Sequence, residues 1–283
     1  MSVSIIGCGW LGQVLAQTLL EKKIPVLASY QSQSTRDKLN RLNIPATQLI
    51  LPIAVSDNKL DIDANSTLVD KALFQQDVLV IALPPKLKKG KFDYPLKIQQ
   101  LVQLAESGQT KHIILLNSTA IYNGLVGEID ENTSLNLNAE KVETLLAAEQ
   151  AVQSFSKQFH ILRLAGLVGP NRHPGKFLQS GRIFTNASAQ VNLVHQADVV
   201  NIINSLIESS MVLPRQIYNV VSATKTCRKD YYQVAAKALG LAIPSFEQEQ
   251  VTSTGKQVLG DKLLKELPYK YLYDDLLQWA TTL

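Results

Sequence analysis

Cysteine is nearly absent: Cys8 and Cys227 are the two in the chain, and neither lies in a metal-ligand spacing. A disulfide framework and a zinc site are therefore excluded, no metal is expected, and a reducing, cytoplasmic setting is the natural expectation. No apolar run approaches the ~18 to 20 residues of a membrane span. The apolar N-terminus has no basic n-region and is broken by glycines, so neither an export signal nor membrane contact is expected. Charge is close to balanced, with 28 Lys and Arg against 24 Asp and Glu for a net +4. No basic helix or aromatic-interleaved basic strip accompanies it, and nucleic acid is not an expected partner. The motif G-x-x-x-x-G-K-[ST] does not occur, which removes P-loop phosphate hydrolysis. Internal repeats and low-complexity segments are also missing.

What is present begins at once. Val3 to Ile6 is a short β-branched run suited to a buried parallel strand. Gly7, Gly9 and Gly12 then fit G-x-G-x-x-G, and Leu11, Val14, Leu15, Thr18 and Leu19 recur at helical spacing. Strand, glycine turn and helix in that order form the dinucleotide-binding fingerprint. Its first glycine allows the turn, the second lets the backbone approach a pyrophosphate, and the third lets helix and strand pack closely. The backbone at Gly7, Gly9, Trp10, Leu11 and Gly12 is thus a candidate cofactor cradle, with the helix N-terminus aimed at phosphate. A second apolar strand, Ile24 to Ser29, leads to Tyr30, Gln31 and Ser32, where an NAD site usually carries Asp or Glu for the ribose 2′-hydroxyl. No acid stands there. Gln31, Ser32 and Arg36 could instead receive a 2′-phosphate, so NADP is expected over NAD, and Arg36 is placed at the start of a short helix reaching Leu42.

Further on, Thr47 to Leu51 reads as a strand, Asp57 to Asn65 as a polar connection, and Val78 to Leu83 as a buried strand stopped by Pro84-Pro85. Leu83, Pro84 and Pro85 fall on the same sheet edge as the glycine turn and join the candidate cofactor residues. The basic run Lys86 to Lys91 reads first as a solvated loop, with attraction of phosphate as the alternative. Helical patterns over Asp93 to Glu106 and Ala139 to Phe155 alternate with strands at Lys111 to Leu116 and His160 to Leu164, while Glu128 to Asn138 reads as an acidic loop. This alternation predicts an α/β doubly wound parallel sheet over residues 1–165. Residues 166–283 are expected to form mainly a small C-terminal substrate lobe, with about 191–221 returning to the first domain.

The ordered set GCGWLG, VIALPP, LLNSTAIYNG, EIDENTSL, LRLAGLVGPNRHPGKF and NLVHQADVV resembles the extended short-chain dehydrogenase/reductase superfamily, in its atypical NAD-dependent epimerase/dehydratase-like branch. The resemblance covers nearly the whole chain. It implies a Rossmann fold, hydride transfer with NAD(P), and a hydroxyl, a Tyr and a Lys as the catalytic set. Counting back four residues from Tyr122 puts the family's Ser/Thr at Ser118. The family's Y-x-x-x-K does not carry over: taking Glu149 as the acid that follows it puts Lys141 at the Tyr position and Leu145 at the Lys position. Tyr122 or Lys141 is then the candidate for a rearranged proton donor, and Arg172, His173 and His195 are candidates to contact substrate. The resemblance also implies a small-molecule substrate and allows a homodimer through the two long helices. Two functions remain open at this stage: an NAD(P)-dependent reductase or epimerase acting on a small carbonyl or sugar-like substrate, and an NAD(P)-binding sensor or regulator without turnover.

Overall fold

The computed structural model describes residues 1–53, 69–87, 92–209, 213–248 and 255–282. The polar connection read over 57–65 and the basic residues 88–91 lie outside them. Its strands are β1 Val3–Ile6, β2 Val26–Tyr30, β3 Ala46–Gln48, β4 Val78–Ile81, β5 His112–Ser118, β6 Gly127–Ile129, β7 Gln158–Leu164, β8 Gly166–Val168, β9 Leu193–His195, β10 Gln216–Val220 and β11 Lys256–Val258. Its helices are α1 Trp10–Glu21, α2 Gln33–Arg41, α3 Tyr94–Ser107, α4 Glu140–Gln153, α5 Gln196–Ser209, α6 Arg228–Ala238, α7 Asp261–Glu266 and α8 Leu276–Trp279.

Seven strands form one sheet in the order β10-β7-β5-β4-β1-β2-β3. The order reverses between β1 and β4, where open α/β sheets leave a crevice at the strands' carboxyl ends. β1 is parallel to both neighbours, with Val3 opposite Val26 on one side and Val78 on the other. All four residues of β1 and all four of β4 are buried, because strands covered by helices on both faces need apolar side chains in both directions. The sheet is the doubly wound Rossmann architecture expected from the alternation of strands and helices.

The chain divides into two compact units. The first comprises 1–117, 138–162 and 206–217, and the second 118–137, 163–205 and 218–283. The expected division at residue 165 differs from this. The chain leaves the first unit at the carboxyl end of β5, re-enters it for α4, and returns again at residue 206, within the C-terminal part of α5.

In the first unit, α1 buries Leu11, Leu15, Ala16 and Leu19 at helical spacing against the sheet. α3 and α4 are amphipathic too, the latter through Val142, Leu145, Ala148 and Val152. The third strand is shorter than Thr47 to Leu51 and starts earlier. Beyond it, buried Gln100 of α3 holds both backbone groups of Ile53, with its Oε1 accepting the amide N–H at 2.8 Å and its Nε2 donating to the carbonyl at 2.9 Å.

The second unit contains two short parallel pairs, β6 with β11 and β8 with β9. Glu128 therefore belongs to a strand, not to an acidic loop as expected. Its partner strand lies more than a hundred residues away and cannot be sensed by local pattern. A cluster of Val168, Val191, Leu193, Tyr231, Ala235, Leu276 and Ala280 forms the core. Asp198, fully buried at the start of α5, accepts from the Tyr269 hydroxyl and the Leu272 amide, both at 2.6 Å, and from the Tyr273 amide at 3.2 Å. Among the described residues, no helix is long and apolar enough to cross a membrane.

Candidate functional site

The glycine turn joins β1 to α1 within the first unit. Gly7 has φ +86°, and a Cβ there would lie 3.0 Å from the carbonyl carbon and oxygen of Ala82 and from Leu83 Cδ2. Its N–H donates to Ser29 Oγ at 3.2 Å, which ties the turn to β2. At Gly12 a Cβ would come within 3.3 Å of Gly7 O and Ile5 Cγ2, so helix and strand would separate. Both glycines are required by the fold. Gly9 is different: the nearest atom to a Cβ there is Gly7 O at 3.9 Å, and the residue is exposed. Among the described residues, no side chain or backbone atom crowds that position.

Gly9 is the N-cap of α1, which has no side-chain cap and no acidic residue in its first turn. The first amides of a helix have no intrahelical acceptor and carry the positive end of the dipole, which favours an anion at this terminus; the Gly9 amide itself turns back to the Gly7 carbonyl at 2.7 Å. Trp10 is half-buried and Leu11 buried beside it. Leu83 packs at the turn and Pro84 is exposed just past β4, with Pro85 half-buried. Cys8, within the turn, is buried and its thiol is pushed up to about 12, which leaves it an inert packing group.

Past β2, Gln31 and Ser32 are exposed, and α2 begins at Gln33, three residues before the expected start. The reason is a cap: Ser32 Oγ accepts the Thr35 amide at 3.4 Å. Arg36 is exposed in the first turn, its guanidinium 5.9 Å from the centre of the Tyr30 ring. The nearest carboxylate in α2, Asp37, takes a hydrogen bond from Gln33 at 2.8 Å.

The expected catalytic residues are divided between the units by chain position. In the first, Lys141 is half-buried in the first turn of α4, Leu145 is buried one turn on, and Glu149 is fully buried, its Oε1 accepting from Asn117 Nδ2 at 2.7 Å. In the second, Ser118 Oγ accepts the Ala120 amide at 3.1 Å and caps a single 3-10 turn. Tyr122, at the end of that turn, is 0% exposed. Its hydroxyl donates to Asn219 Oδ1 at 2.8 Å and accepts from Arg163 Nη1 at 2.7 Å. Burial pushes this phenol above its ordinary range, and the Arg163 charge acts against that shift. Asn219 is held in turn, with its amide N–H donating to Glu131 Oε1 at 2.6 Å and its side chain donating to the Leu259 carbonyl at 3.0 Å.

Of the residues expected to meet substrate, Arg172 is exposed on a tight loop after β8. His173 is buried, donating from Nε2 to the Ala280 carbonyl and accepting the Gly175 amide at Nδ1, each at 3.2 Å. His195 is buried against Tyr273 and Trp279, with ring centroids at 3.8 and 4.8 Å, and its Nδ1 accepts the Ala197 amide. Burial lowers the pKa of both imidazoles. Both rings are thus occupied in holding the C-terminal segment of the second unit.

The second unit also encloses a cleft of ≈ 860 Å³, bordered by Thr119, Tyr122, Asn192, Arg228, Tyr232 and Lys256 among others. Arg228 and Lys256 drew no attention in the sequence, since a single basic residue at a helix start or in a short strand carries no pattern.

Residues 1–149 match the UDP-glucose/GDP-mannose dehydrogenase family, NAD binding domain. Protein YeeZ of Escherichia coli K12 is 33% identical over 279 residues, covering 96% of each chain. The chain belongs to the UDP-glucose/GDP-mannose dehydrogenase family through its NAD binding domain. The family match stops short of the second unit's main segments, while solved epimerase structures span the whole fold. UDP-glucuronic acid 4-epimerase from Bacillus cereus, in complex with NAD, is 16% identical with a TM-score of 0.73 over 99% of this chain and 96% of its own. Human epimerase family protein SDR39U1, with NADPH, is 16% identical with a TM-score of 0.71 over 99% and 98%. These two structures share the fold of this chain over nearly its whole length. NAD(P) binding is the property common to the family match and these neighbours.

Proposed function

We propose that this protein is an NADP-preferring oxidoreductase or epimerase acting on a small carbonyl or sugar-like substrate. The first unit holds the cofactor and the second unit's cleft holds the substrate. The observation that carries the reading is Gly9. A Cβ at Gly7 or Gly12 would press on neighbouring atoms, whereas at Gly9 the nearest described atom is 3.9 Å away, so crowding by the described residues does not account for a glycine there. Close approach of a ligand to that backbone explains it. Leu11 and Gly12 would present their amides to the pyrophosphate, with the bare Gly9 backbone, Trp10, Leu83, Pro84 and Pro85 beside them. Gln31, Ser32 and Arg36 would meet the adenosine ribose, and the absence of a carboxylate there favours a 2′-phosphate. The bound cofactor would supply hydride chemistry. Ser118 would polarise the substrate carbonyl, and Lys141 is the candidate proton donor.

The experiment is a calorimetric titration of the full chain with NADPH and NADH, repeated on Gly9→Val. Micromolar NADPH binding that is lost in a variant with an unchanged thermal midpoint is the expected result. Equal affinity in Gly9→Val removes the assignment. A second reading, an NAD(P)-binding sensor without turnover, is favoured by buried Leu145 and by the Tyr122 hydroxyl, which is committed to Asn219 and Arg163. It predicts cofactor binding with no oxidation of NADPH by any carbonyl tested.

A further inference from the structure

The second unit's cleft has a charge pattern that the proposed function does not use. Its described lining includes two cationic side chains, Arg228 and Lys256, and no carboxylate. Lys256 Nζ already donates to the Thr119 carbonyl at 2.8 Å. Arg228 is the first residue of α6, and its guanidinium carbon lies 5.9 Å from the centre of the Tyr232 ring. Arg228 Nε is buried and, among the described residues, meets no acceptor. A buried donor without a partner costs roughly 1 to 3 kcal/mol, so such a group is normally matched by something that binds.

The helix terminus itself is not the attraction, since the Arg228 and Lys229 amides are taken by the carbonyls of Ala189 and Ala187. A neighbouring cavity of ≈ 420 Å³ makes the contrast: three carboxylates, Glu128, Asp261 and Asp274, line it against one cation, Lys225, a balance that disfavours an anion. We infer that Arg228 makes the larger cleft a seat for a compact oxyanion, so that the substrate is a small sugar-like molecule bearing a phosphate or carboxylate. The inference rests on the reading that this cleft holds the substrate. It adds a specificity-determining residue: a planar fork of donors matches an oxyanion in two-point geometry, and a neutral sugar would leave Nε unmatched.

The test is calorimetry of the full chain with three probes, glucose 1-phosphate, glucuronate and glucose. One of the two anions should bind at least tenfold more tightly than glucose, and which of them does so tells phosphate from carboxylate. Arg228→Met should abolish that preference while the thermal midpoint and NADPH affinity stay at the wild-type values, and Arg228→Lys should retain part of it. If Arg228→Met does not fold, Arg228→Gln takes its place. Equal affinity for all three probes, no binding of either anion, or an unchanged preference in the variant would each overturn the inference. A negative cofactor titration alongside a positive anion result would refute the proposed function and leave the anion seat standing.

Discussion

Acid should loosen the first unit well before its carboxylates titrate. His112 on β5 and His160 on β7 are buried side by side, with Nε2 of the first 2.8 Å from Nδ1 of the second. A single proton can lie between them, so both rings are neutral in the folded chain. Burial lowers the pKa of each; the neighbouring ring lowers that of His112 further, and the Pro214 carbonyl opposes the shift at His160. The unfolded chain therefore binds more protons below about pH 6.5, and stability falls as pH falls through that value. Each proton taken up by the unfolded chain alone costs ~1.4 kcal/mol per pH unit. Two rings between pH 6.5 and 4.5 give ~5 kcal/mol, a large part of the ~5 to 15 kcal/mol typical of a domain. Asp77 and Glu106, whose pKa values are lowered by hydrogen bonds from Lys111 and Ser156, lose their contribution only at lower pH. Urea midpoints by circular dichroism from pH 7.5 to 4.8 measure the slope. His173 and His195 contribute in the same direction, so the comparison is with His112→Asn/His160→Asn, in which amides can replace the ring contact. The variant should show a clearly shallower acid slope whatever its stability at pH 7.5. Parallel slopes would refute the reasoning.

Gly7→Ala forces a methyl against the Ala82 carbonyl at a positive φ and should cost ~1 to 3 kcal/mol in urea unfolding, unlike substitution at Gly9. Arg36→Ala should weaken NADPH at least tenfold, ~1.4 kcal/mol by calorimetry, and leave NADH unchanged; equal losses would remove the 2′-phosphate assignment. Gln100→Leu strands both backbone groups of Ile53 and should cost ~2 to 4 kcal/mol in urea unfolding. Tyr122→Phe should lower the thermal midpoint by stranding Arg163 Nη1 and Asn219 Oδ1, while NADPH affinity is unaffected. An unchanged midpoint would show that this network contributes nothing.

The Rossmann sheet was legible because β1, β4 and α1 announce themselves locally: four-residue apolar runs, a helical repeat and the glycine turn between them. The start of α2 was misplaced because Ser32 acts through its hydroxyl as a cap, whereas attention to Arg36 favoured charge over capping. β6 was missed because half of its pairing energy resides in residues 256–258. Ser118 caps and Tyr122 ends one 3-10 turn, a purely local arrangement. Burial of the Tyr122 hydroxyl against Asn219 and Arg163 could not be read there, since it depends on β7 and β10 arriving from elsewhere in the chain. Arg228 gave no signal for the same reason: its meaning comes from the absence of carboxylates around it, which is a property of the assembled cleft.

Asp198 sets an order on synthesis. Its three donors all come from Tyr269, Leu272 and Tyr273. Until that stretch leaves the ribosome, α5 carries a carboxylate destined for the interior with nothing to receive it. The nucleotide-binding unit is complete once residue 217 has emerged. Its partner must wait for the end of the chain, so in a nascent protein the unit that carries the glycine turn is complete before the core of the second can close.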